Sequence, residues 1–213
     1  MAALLALFLS GTFTTQAQGE SGIYVNKRPM KDWSEKFTKA IDSKEIDLNS
    51  PFLISIVAIL GTAADGKTIV LKSPQKLAVS QAANSDPKLI ALVEDAVLAL
   101  GDAGWFGYLS QLNSRRSATP VKIGVRQDEI NFAVAVDVGM QSDNEAKTMS
   151  SGLTTLFSLA ASQVKDEDKP LLRSMTVSAT GKSVRISSTM PKAEFWELVR
   201  QQTVSIAPGK SDN

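Results

Sequence analysis

VKIGVRQDEINFAVAVDVG, residues 121–139, alternates apolar side chains with polar or small ones on both sides of a short polar break. Val121, Ile123 and Val125 are apolar at every second position, with Lys122, Gly124 and Arg126 between them. After Gln127, Asp128 and Glu129 the alternation resumes, carried by Ile130, Phe132, Val134, Val136 and Val138. A period of two puts successive side chains on opposite faces of an extended chain, so each run reads as a strand with one buried face. The polar residues between them read as a turn, and strands joined so closely pair antiparallel. Ser142 or Asp143 then caps a helix, with Met149, Leu153, Leu156, Phe157 and Ala160 inward at helical spacing. The local unit is strand, turn, strand, helix.

The same unit reads on either side. Upstream, Phe52 to Leu60 is a β-branched apolar run, Asp65-Gly66 supplies a hairpin turn, and Thr68 to Leu71 returns as a short strand before Pro74. Asp86 caps a helix with Pro87 at its first position; Leu89, Leu92, Val93, Ala96, Val97 and Leu100 form its stripe, and Gly101 ends it. Downstream, Met175 and Val177 precede the turn Thr180-Gly181-Lys182, then come Val184 and Ile186, and Pro191 opens a helix carrying Phe195, Trp196 and Val199. The sequence predicts an α+β fold: an antiparallel sheet built from three β-hairpin–helix (ββα) units, with helices packed on one face. The first unit spans 51–115 and the other two span 119–205. Residues 18–50 hold a short amphipathic helix with Trp33, Phe37 and Ile41 on one stripe, and the tail 206–213 reads as disordered.

The amino terminus reads as an address. Ala2 to Phe13 is apolar and ends in small residues at Thr15 and Ala17, the pattern of a secretory signal peptide over 1–17. A dozen residues falls short of the roughly 20 that span a bilayer. No Lys or Arg precedes Leu4, so a truncated anchor helix or a buried segment stays open beside the signal. The expectation is an exported protein, periplasmic or extracellular, with no stable membrane span after cleavage.

Composition removes whole classes of chemistry. The 213 residues include 23 basic and 22 acidic side chains, so no excess of charge draws the chain to nucleic acid. Histidine and cysteine are both absent. Ser-His-Asp and Cys-His nucleophiles go with them, as do zinc–thiolate sites, and no cofactor or metal is implied. Two motifs still promise catalysis. Residues 61–68 satisfy G-x-x-x-x-G-K-[ST], but that phosphate loop needs a helix starting at Lys67, and Ile69, Val70 and Leu71 followed by Pro74 read as strand. Ser73 and Lys76 with Ser142, Asp143 and Asn144 match two of three signatures of serine acyltransferases; the third, K-T-G, is missing. Lys67 or Ser73 would carry an enzyme reading. The leading reading is a non-catalytic binding module.

Two groups are candidates for its binding surface. Trp105, Phe106 and Tyr108 concentrate aromatic area after a helix end, as a core plug or a recognition patch. Ser174, Thr176 and Ser178 alternate with Met175 and Val177, the pattern of an uncharged strand with one face in water and nothing to forbid pairing with an incoming chain. By contrast Pro120, Lys122 and Arg126 mark Val121–Arg126 as a defended edge, and the charge-free run Phe52–Leu60 reads as central, covered on both faces. Residues 52–108, with Asp65-Gly66, Val70, Ser73, the run Ala96 to Ala99 and Trp105-Phe106, resemble the carboxy-terminal domain of TonB-type energy transducers. That resemblance implies an exported domain binding another protein or peptide through a sheet edge. A structural repeat of a larger assembly is the remaining alternative.

Overall fold

The computed structural model describes residues 26–80, 84–107, 109, 119–163 and 174–206. The leader, the tail beyond Ile206 and Tyr108 lie outside the described residues. The elements are α1 (Arg28–Asp42), β1 (Phe52–Thr62), β2 (Ile69–Ser80), α2 (Pro87–Asp102), β3 (Thr119–Gln127), β4 (Asn131–Gly139), α3 (Asp143–Gln163), β5 (Met175–Thr180), β6 (Ser183–Pro191) and α4 (Lys192–Ile206). This is the α+β fold the alternation predicts, three hairpins each followed by a helix. One six-stranded sheet in the order β2-β1-β3-β4-β6-β5 joins them, antiparallel at every step. β1 pairs with β3 and β4 with β6, so the units are stitched through their strands.

Phase explains why one face is buried. Register places Ile54, Ile56 and Ala58 of β1 beside Val125, Ile123 and Val121 of β3, then Val134, Val136 and Val138 of β4, then Ile186 and Val184 of β6. All are buried in one core. α2 covers β1 and β2, α4 covers β4 and β6, and α3 covers β5 and β6. α1 bridges α2 and α4, where the Phe37 ring stacks between Trp33 at 5.2 Å and Trp196 at 5.7 Å. The indole of Trp33 donates to the carbonyl of Leu92 at 2.9 Å, so its one polar atom is satisfied in the core. Helix starts follow their caps: Asp86 accepts from the Lys88 amide at 2.8 Å, and Ser142 Oγ accepts from the Glu145 amide at 3.2 Å.

Leu156, expected inward on α3, is 49% exposed, and Ile130, expected on the buried strand face, lies in the turn before β4 at 72% exposed; four further expectations need correction. β1 is central but covered on one face only; Leu53 and Ile59 remain 39% and 44% exposed on the other. Charge-free sequence does not require two covered faces when the outward positions are shared with small residues such as Ser55. β2 is a strand of 12 residues rather than a short return ending before Pro74. It is an edge strand, which tolerates proline because one side of its ladder has no partner, and a bulge at Ser73 (φ +49°) absorbs the irregularity. β3 is interior, not a defended edge: Lys122 and Arg126 project from the open face of the sheet, not from its rim. Gln127 belongs to the end of β3 and is buried, 2% exposed, instead of sitting in a turn.

Candidate docking edge

β5 ends the sheet at one side. Gly181 (φ +53°) and Lys182 form the two-residue turn to β6, the left-handed geometry that matches strand twist. In such a hairpin the flanking pair, Thr180 and Ser183, exchanges both backbone bonds, and bonded pairs then alternate along the strands. Ser178 and Thr176 therefore direct their backbone groups at β6. Val177 and Ala179 direct theirs outward, where no strand pairs with them among the described residues.

The side chains follow the predicted one-sided polarity. Thr176 and Ser178 are exposed on the face that no described helix covers, and Thr176 Oγ1 lies 2.9 Å from Ser187 Oγ across the strand. Met175, Val177 and Ala179 are half-buried against the core beneath α3. Ser174 sits just before the strand with Oγ 2.6 Å from Ser188 Oγ. β5 carries no charge, no proline and no bulge.

Of the aromatic candidates, Trp105 and Phe106 do not form a surface patch; Tyr108 lies outside the described residues. Phe106 is 1% exposed and fully in the core, while Trp105 is half-buried against it. The plug follows from the chain's path: Gly104 (φ +86°) turns the chain at the end of α2 and the following residues fold back beneath it.

The two catalytic motifs are occupied by local structure. Asp65 accepts from the amides of Lys67 at 2.8 Å and Thr68 at 2.9 Å, and from the Thr68 hydroxyl. The Thr68 hydroxyl bond, followed by those two amides, holds the Asp65 carboxyl below the usual carboxylate range. Amides that would face a phosphate are thus already spent on a carboxylate, Lys67 is exposed, and a strand follows it. Ser73 and Lys76 lie on β2. The ammonium of Lys76 pairs with Glu94 of α2, which is 7% exposed and whose Oε1 has no hydrogen-bond partner. No cluster of three metal-ligating side chains occurs among the described residues, and no described helix is long and apolar enough to cross a membrane.

Sequence reasoning missed two features. One is the amide of Gln127, which donates to the carbonyls of Leu48 and Ser50 at 2.9 and 2.7 Å and accepts from the Trp196 indole at 2.8 Å. Nothing distinguishes such a glutamine from a turn residue until its partners assemble. The other is the face that no described helix covers, where Arg185 clasps Asp137 with two bonds of 2.7 and 2.9 Å. A shallow basin of about 190 Å³ lies beside that pair, lined by Val57, Pro120, Lys122, Asp137, Gly139 and Ser183. Lys122 and Arg126 of β3, Asp137 of β4 and Arg185 of β6 share this face only through strand order, which the sequence does not show. Comparison with protein-family models, curated proteins and solved structures returns no match.

Proposed function

We propose that this chain is an exported, non-catalytic interaction module of the cell envelope or secreted space, which binds an extended segment of another protein by strand addition at β5. The observation that carries this reading is the outer side of β5, unpaired among the described residues: outward amides and carbonyls at Val177 and Ala179, with no charge, proline or bulge in the strand. The resemblance of residues 52–108 to the TonB-type carboxy-terminal domain supports the same mode of binding, and the apolar run from Ala2 with small residues at Thr15 and Ala17 supports export.

Selection from a displayed library of random 12-residue peptides, followed by titration of the selected peptide, tests the binding. The expected peptides alternate apolar and polar residues, protect the Val177 and Ala179 amides from exchange, and bind Val177→Pro at least tenfold more weakly. Equal binding to that variant, or protection elsewhere, refutes the docking edge. Export is tested separately by mass spectrometry: the mature chain should begin at or near Gln18, and exported material with its amino terminus intact would remove the signal peptide.

A further inference from the structure

We infer a second docking surface, independent of β5: the face of the sheet that no described helix covers binds an acidic amphipathic helix of a partner protein. Register puts the outward aliphatics of β1 directly beside cations. Leu53 pairs with Arg126 and Val57 with Lys122 on β3, and Ile59 pairs with Lys72 on β2. An aliphatic spine is therefore banked by positive charge on both sides. Leu53 and Ile59, 39% and 44% exposed, are the large apolar side chains that the core leaves uncovered along β1.

The charge on this face is one-sided. Lys72, Lys122, Arg126 and Arg185 stand against the carboxylate of Asp137 on these strands, and Arg185 already occupies both oxygens of that carboxylate. Lys72 and Lys122 make no ion pair among the described residues, and Arg126 comes no nearer than 3.8 Å to Asp128. The chain as a whole is close to neutral, with a net charge of +1, so this local excess is a property of the face. Its complement is negative.

Shape selects among anionic partners. Between the β1 spine and β6 the floor is made by Gly124, Ala133 and Ala135, and a Cβ added at Gly124 would meet nothing within 4 Å. That low floor lies between Lys122 and Arg126 of β3, beside a spine that runs along β1. From Leu53 to Ile59 the spine is about 20 Å long at strand rise, which matches about 13 residues of helix. A helix with leucines on one stripe and carboxylates on its flanks meets the aliphatics, Lys122 and Arg126 together. The face has no aromatic side chain among the described residues, so it offers neither a stacking platform for bases nor the tryptophan and tyrosine belt of a membrane interface.

The probe is a synthetic, fluorescein-labelled 14-residue peptide with leucines at helical spacing and glutamates flanking them. Its counterpart carries lysines in place of the glutamates, and phosphatidylglycerol vesicles form the third arm. With the full chain, saturable binding of the acidic peptide is expected, weakening as salt rises. The Lys122→Glu/Arg126→Glu double variant should weaken it tenfold or more, while Val177→Pro leaves it unchanged. On the wild-type protein, the peptide should shift the amide resonances of Gly124, Ala133 and Ala135, a readout that does not depend on any variant folding. Equal binding of the lysine peptide, no binding of the acidic one, shifts confined to the helices, or capture of vesicles in its place would each overturn the inference. Loss through Val177→Pro alone would return the binding to the β5 edge.

Discussion

β2 and β5 occupy the two ends of the same sheet, and they meet solvent in opposite ways. β2 has two register shifts against β1, a left-handed Ser73, Pro74, and lysines at 72 and 76. Lys76 is also tied to the buried Glu94 of the helix above. β5 is half as long, keeps perfect register with β6, and carries only small or apolar side chains besides threonine and serine. Irregular backbone, proline and positive charge are the devices that stop one sheet from templating another. β2 carries all of them and β5 none, so the two edges differ in every feature that blunts pairing, the difference on which the proposed docking edge rests.

The comparison breaks most visibly if prolines are placed along β5. Ser178 directs its amide at β6, so Ser178→Pro removes a ladder bond and should cost about 3 kcal/mol in urea denaturation, on the scale of an interior proline. Val177→Pro removes an outward amide and should cost about 1 kcal/mol or less. The reverse order, with Val177→Pro the costlier change, would mean that the bonded pairs run in the opposite phase and that the outward groups belong to Thr176 and Ser178.

At the other edge, Lys76→Ala strands a buried carboxylate. Removing one partner of a buried pair costs about 3 kcal/mol when both are enclosed; Lys76 is 60% exposed, so about 2 kcal/mol is the expected loss in the unfolding midpoint. Adding Glu94→Leu should recover most of it, because paired replacement by an apolar side chain removes the stranded charge. A loss within 0.5 kcal/mol, the ordinary range for surface changes, would show that the lysine does not fasten β2 to α2.

The smallest effect separates the hairpins that lead to these edges. Asp65, in the β1–β2 turn, has its carboxyl held below the ordinary value by the Thr68 hydroxyl and the amides of Lys67 and Thr68. A depressed folded pKa stabilises the protein above the unfolded value, about 4, and that stabilisation is lost as pH falls below it. The β5–β6 turn, Gly181-Lys182, contains no carboxylate. Thermal midpoints measured from pH 7 down to pH 3 should fall more steeply for the wild type than for Asp65→Asn, and amide exchange should quicken in the first hairpin before the third. Parallel acid slopes for the two proteins would remove the carboxylate from the turn's stability.

Hairpins and helices were legible because their signals are local. The alternation at Val121, Ile123 and Val125 fixes a strand, and Asp86-Pro87 fixes a helix start, whatever surrounds them. Strand order was not legible, and with it went the assignment of edges: Lys122 and Arg126 look the same on a rim as on an open face. Pro74 misled in the same manner, since a proline that ends a central strand is admissible on an outer one. The exposure of Thr176 and Ser178 was legible from their alternation with Val177 and Ala179, a local signal that survives without knowledge of the fold. Phe106 was ambiguous by nature, because aromatic side chains serve equally well as core and as contact area.

The glutamine at the end of β3 has a consequence for how the chain assembles. Its hydrogen bonds reach partners 79, 77 and 69 residues away, in the loop before β1 and in the last helix. Gln127 is enclosed and fully bonded only once both the loop before β1 and the last helix have packed, and a variant that keeps both segments but removes one bonding partner should lose about 1–3 kcal/mol. A fragment holding only the first hairpin and helix would lack the partner for β1 as well as this junction.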